Sequence, residues 1–244
     1  PIAHATPPAN YAHSNDRKKW GEIFPQAFPP RFGDGVDVLF GAGRRKISEQ
    51  LTAAGTSFEQ IGKTHGRPIH TTLAEIGAGE KRPVVFGDDM DARAATLKAL
   101  DILQKSSKGY FLVVEWDAHT DDPREGLQNV VDFDKLIAEV QARVNLDETL
   151  LLFTADHSFG LQVDGGRRGE ELLAGYDAWK ATKSKEDIVR LENVLVNRTH
   201  TGEEVAALAI GAGAERVRGY FPNTYLFEVM MNAFGWQPDV AQAK

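Results

Sequence analysis

Hydrophobic residues in this chain fall into two kinds of run. Continuous apolar stretches at residues 35–43 (GVDVLFGAG), 83–86, 110–115 (YFLVVE), 150–153 (LLLF) and 205–210 are short and end at glycines or acids. That is the pattern of strands covered on both faces. Between them the apolar positions change to a period of three to four. Ala94, Leu97, Ala99, Leu100, Ile102 and Leu103 form one stripe over residues 91–105, and Phe133, Leu136, Ile137, Val140 and Val144 form another over 130–144. Both predict amphipathic helices, and shorter ones are expected at 47–54 and 224–234. Strand, helix and strand in succession imply right-handed crossovers and a parallel sheet. The expected fold is therefore α/β, a three-layer α/β/α sandwich around a mostly parallel central sheet, with residues 1–244 as a single domain.

The remaining segments carry weaker signals. Pro7 and Pro8 are placed to open a helix through Ala12 and His13, and Pro25, Pro29 and Pro30 predict an irregular loop after Trp20. Residues 55–80 are rich in Gly and Thr with weak periodicity. Residues 160–196 are polar and charged, and read as a surface insertion with a helical piece near 188–195. No internal repeat or low-complexity segment is present.

Composition narrows the function classes. No apolar stretch approaches the ~18 residues of a membrane span. The formal net charge of -7 disfavours a nucleic-acid surface, whereas a phosphate substrate stays compatible because bound divalent cations reverse the local field. The absence of Cys excludes disulfides, thiolate zinc sites and cysteine nucleophiles together. Pro1 is preceded by no charged or apolar leader, so the expectation is that sequence upstream has been removed.

The chemistry centres on residues 150–160, LLLFTADHSFG, where Asp156 and His157 follow an apolar strand. In open α/β sheets ligands bind outside the carboxyl ends of strands, and a carboxylate beside an imidazole suits zinc. An isolated Asp-His pair at a strand end is more often a hydrogen-bonded structural pair than a metal site. Three further segments accompany it: Thr6-Pro7 with Arg17, EWDAHTDD over 115–122, and His200 in NRTHTGEEV. Gly41 and Gly43 read as a plain strand-to-helix turn, and His13, His65 and His70 have no motif around them.

Taken in order, HATP, SNDR, EWDAHTDD, TADHS and HTGEEV resemble the alkaline phosphatase family. The resemblance implies a phosphomonoesterase with two zinc ions, one magnesium and a serine that is transiently phosphorylated. On that basis Asp156 and His157 look like ligands of the zinc that activates the nucleophile, and His200 like a ligand of the other. Glu115 and Thr6 look like magnesium ligands, Arg17 like a phosphate clamp, and His4 falls near the magnesium water shell. Where the family usually has an Asp five residues after its Glu and a His four further on, this chain has Thr120 and Arg124. Asp117 and His119 are the replacements expected for the second zinc, with Asp121 as a third candidate and Trp116 either packing above the site or lining the substrate pocket.

A second departure concerns the nucleophile. None of Ser14, Ser48, Ser57, Ser106, Ser107, Ser158 or Ser184 follows an Asp as the family's nucleophilic serine does. The chain therefore resembles a C-terminal portion of the fold, incomplete at its N-terminus. It is expected to need an upstream fragment of the same protein, or a second copy, and by resemblance alone to work outside the cytoplasm. Two alternatives stand beside this reading: a non-catalytic module that binds metal or phosphate, and a phosphodiesterase or sulfatase relative sharing the metal core.

Overall fold

The computed structural model describes residues 16–29 and 33–236. His4, Thr6, the helix expected through Ala12 and His13, and the side chain of Arg17 lie outside the described residues. The chain divides into two compact units after Trp116.

In the first unit, helix α1 (Trp20–Ile23) is flanked by 3-10 turns at Arg17–Lys19 and Phe24–Ala27. This corrects the irregular loop expected there. Pro25 sits in the first turn of its 3-10 segment, where a missing N–H costs nothing, and Trp20, Ile23, Phe24, Ala27 and Phe28 are all buried. Strand β1 (Leu39–Gly41) leads into α2 (Arg44–Ala53). Helix α3 (Phe58–His65) follows, capped by the Ser57 side chain, which accepts from the Gln60 N–H, and ended by Gly66 at φ 61°. It was hidden in the sequence because eight residues give only two turns of pattern. Strands β2 (Ile69–His70) and β3 (Val84–Phe86) then complete a parallel sheet of order β1-β3-β2, and α4 (Ala92–Leu103) starts on the Asp91 cap. Central β3 is fully buried, as a parallel strand between layers must be.

Aromatic packing holds this unit together. The Phe24 ring meets Phe28, Phe58 and Phe86 edge-on, with centroids 5.5, 4.9 and 5.1 Å away, the arrangement the ring quadrupole favours. The expected strand at 110–115 is not formed. Phe111 and Val113 are 57% and 39% exposed while Tyr110, Leu112 and Val114 are half-buried, so the alternation of a strand is present without a ladder partner among the described residues.

The second unit opens with α5 (Pro123–Gln141), whose N-cap Asp122 accepts from the backbone N–H groups of Arg124 and Glu125. Strand β4 (Leu150–Thr154) pairs antiparallel with β8 (Ala207–Gly211), Leu150 opposite Gly211 and Thr154 opposite Ala207. Between them lie β5 (Gln162–Val163), α6 (Tyr176–Thr182), β6 (Ile188–Arg190) and β7 (Val194–Asn197), with a sheet of order β5-β7-β6 that is antiparallel throughout. Helix α7 (Tyr225–Ala233) follows.

Two expectations are corrected here. The sheets of this unit are antiparallel, so the parallel arrangement holds for β1, β2 and β3 alone among the described strands. Residues 188–195, expected as helix, form a hairpin. Val189, Val194 and Val196 are buried on one face around a three-residue turn closed by the Leu191 N–H donating to the Val194 carbonyl at 2.8 Å, and period two wins over a weak helical stripe.

Replacing Phe24 with Ala removes a fully buried ring from the middle of the aromatic cluster. A loss of about 3–5 kcal/mol is expected, read as a lower urea midpoint at unchanged m-value.

Candidate metal centre

Three histidines from separate stretches converge in the second unit. Donor nitrogens of His119, His157 and His200 all lie within 4.8 Å of one another. The His157 and His200 rings stack with centroids 3.7 Å apart and planes 18° off parallel, and His119 lies 5.7 and 6.0 Å from them.

Local backbone explains the meeting of two of them. After β4 the chain forms an isolated antiparallel bridge between Ser158 and Thr201, with the Thr201 N–H donating to the Ser158 carbonyl at 3.0 Å. Side chains alternate across such a pair. Ser158 and Thr201 therefore share one face, and His157, Phe159 and His200 share the other. Phe159, 9% exposed, touches all three imidazoles, its centroid 4.9 Å from His119 and 5.5 Å from His157 and from His200.

His119 arrives from the loop before α5, and Gly126 decides how close it comes. A Cβ built on Gly126 would stand 2.1 Å from the His119 carbonyl oxygen and 2.7 Å from the Thr120 Cα. Only hydrogen fits between the helix and the loop. Thr120 is itself buried, at 7% exposure. Asp117 steadies the same loop, accepting from the His119 N–H at 3.0 Å and lying 3.2 Å from His119 Nδ1.

Glu203 joins the two histidine-bearing segments from outside the ring cluster. The buried Thr201 hydroxyl faces it and is the largest influence holding its carboxyl below the ordinary range, helped by its own backbone N–H, by the Ser158 hydroxyl and by the Gly160 N–H. Neither Phe159 nor Glu203 was singled out from sequence, although both stand inside the ADHSF and HTGEE strings.

Of the residues expected as metal ligands, the structure brings His119, His157 and His200 into one group. Asp156 lies beside it, 3.7 Å from His157 Nε2. Asp117, Asp121 and Asp156 do not belong to the converging donor set among the described residues. Glu115 and Trp116 lie in the first unit.

The donor set suits zinc. Imidazole nitrogen is a preferred ligand, and a tetrahedral ion with bonds of about 2.1 Å needs donors about 3.4 Å apart. Donors within 4.8 Å of one another can serve one ion after side-chain rotation on the scale of an ångström, or be shared between two neighbouring ions. His157 Nδ1 lies 3.3 Å from the Ser158 carbonyl, a contact that favours a proton on Nδ1 and a lone pair on Nε2.

Comparison with known proteins gives this geometry a context. The family model for alkaline phosphatase matches residues 91–194. Alkaline phosphatase 4 of Bacillus subtilis is 26% identical over 91% of this chain and 63% of its own length. Alkaline phosphatase of Escherichia coli K12 is 23% identical over 96% and 63%, and the human tissue-nonspecific isozyme 22% identical over 95% and 61%. The chain thus spans about three fifths of the curated relatives it matches. A solved structure of a TAB5 alkaline phosphatase mutant, with Mg bound in its M3 site, superimposes with a TM-score of 0.71 at 22% identity, over 97% of this chain and 70% of that one. The described helices and sheets thus share an alkaline phosphatase-like α/β fold, and the sequence is similar to that of alkaline phosphatases along most of its length.

Proposed function

We propose that this chain is the metal-holding portion of an alkaline phosphatase that hydrolyses phosphate monoesters at a two-zinc, one-magnesium site. The observation that carries the reading is the convergence of His119, His157 and His200, three imidazoles with donors inside 4.8 Å. In this assignment Asp156 and His157 serve one zinc, and His200 with Asp117 and His119 the other, Asp121 being the nearest spare carboxylate in sequence. Glu115 and Thr6 hold magnesium, with His4 beside its water shell. When bound, such ions polarise the phosphoryl oxygens and favour both the attacking and the leaving oxygen of an in-line displacement.

The residues of the chain do the rest. Arg17 grips the remaining phosphoryl oxygens through its planar fork of donors. Phe159 screens one side of the imidazoles from water, which strengthens charge interactions inside the site. Trp116 packs above the metals or lines the pocket. The nucleophilic serine comes from sequence outside these 244 residues, a reading supported by the absence of any Asp-Ser pair. An upstream segment, or a second copy, also completes the sheet. The two-stranded ribbon supports this, for Leu208 and Ile210 on β8 are 57% and 40% exposed.

Zinc titration of the chain against a chromophoric chelator tests the reading. Binding by the native chain and a loss of affinity of at least about 100-fold in His157→Ala and His200→Ala are expected. Native-like affinity in both variants would show that the imidazoles hold no metal. Gly126→Ala supplies an independent check. The added methyl pushes the His119 loop away, so stability should fall by about 1–3 kcal/mol in urea unfolding, with weaker zinc binding in the same sample.

A further inference from the structure

The polar insertion is tied into the histidine cluster at two points. Its helix α6 docks on the first turn of α5 through Asp122. The Tyr176 hydroxyl lies 2.9 Å from both Asp122 carboxylate oxygens and donates its proton between them, and the Lys180 ammonium pairs with Asp122 Oδ2. The Arg124 guanidinium lies 3.9 Å over the Tyr176 ring and donates to Asp177 at 2.9 Å. Tyr176 is buried, at 7% exposure. Burial alone raises the Asp122 carboxyl, but the Lys180 and Tyr176 hydrogen bonds outweigh it and leave it below its ordinary value.

The second point is apolar. Trp179, on the same helix, packs with Leu191 against Val189, Val196 and Phe159, and Phe159 is the ring that touches the three imidazoles. A closed circuit results. It runs from His119 along three residues of backbone to Asp122, across to Tyr176 and Lys180, through α6 to Trp179, and back by Phe159 to His157 and His200.

We propose that Asp122, Tyr176 and Lys180 are positioning residues that set the spacing between His119 and the His157/His200 pair by locking the insertion onto α5. The proposal rests on the reading of the imidazoles as metal donors. No group of the lock touches the donor nitrogens, so it acts through the placement of His119 and Phe159. The lock also assigns a role to residues 160–196, whose composition reads as a solvated surface. Partners one step removed from metal ligands typically change affinity 10–100-fold when lost.

The test is a double-mutant cycle read by zinc competition, with melting temperature measured on the metal-free chain. Asp122→Asn keeps the N-cap, since Asn caps as well as Asp, and Lys180→Met and Tyr176→Phe each remove one partner while keeping bulk. Each variant is expected to weaken zinc binding about tenfold. Asp122→Asn with Lys180→Met should cost little more than either alone, and Lys180→Arg should restore most of the affinity. Zinc affinity within twofold of native in all three variants, with only the melting temperature lowered, would overturn the proposal, as would penalties that simply multiply. A native chain that binds no zinc would instead remove the metal reading itself, and the lock's role with it.

Discussion

Backbone proximity without a side chain between is the constraint on which the candidate site depends. His119 sits on a loop whose carbonyl presses against Gly126 of α5, at a separation that no Cβ tolerates. That contact brings one imidazole toward a position that two others reach from a different pair of segments. The Ser158–Thr201 bridge does the corresponding work for His157 and His200. Each contact is a main-chain event, and the grouping of the three imidazoles is its consequence.

Electrostatics follows from this arrangement. The chain carries a net charge of -7, which would repel a phosphate ester at any distance where charge is unscreened. In the proposed metal site, divalent ions held by the clustered imidazoles would reverse the sign of the field locally. The acids nearest the cluster are placed to orient. Asp117 contacts His119, Asp156 contacts His157, and the Thr201 and Ser158 hydroxyls and the Gly160 N–H hold the Glu203 carboxyl below its ordinary range. Partners of ligating histidines act in this way in metal sites generally, by fixing ring orientation and tautomer.

The two units differ in how they are sealed. The first is closed by aromatic rings around a fully buried parallel strand. In the second, the β4–β8 ribbon leaves large apolar side chains in solvent, a surface that strands normally cover by pairing or by a helix layer.

Much of the element content was legible from periodicity. The helices at Ala92–Leu103 and Tyr225–Ala233 and the strands at Leu39–Gly41, Val84–Phe86, Leu150–Thr154 and Ala207–Gly211 fall within or beside the runs that predict them, and the helix at Pro123–Gln141 overlaps its run over 130–144 but starts seven residues earlier, at the Asp122 cap. Period 3.6 and short apolar runs are local properties, and local properties are written in the chain. His157 and His200 were also legible, because each sits in a string with a recognisable pattern. Strand partners were not: residues 110–115 carry the right residues and find no ladder among the described residues, and β4 pairs antiparallel where a parallel neighbour was expected. Pairing depends on which other strand is within reach. The hairpin over 188–197 was misread for the related reason that the eight residues 188–195 satisfy two periods at once until a partner chooses between them. Tertiary structure alone decided that Gly126 admits His119, that Phe159 backs all three imidazoles, and that Asp122 joins an insertion to a helix start. Those contacts link residues far apart in sequence, and nothing in the spacing of either partner records the other.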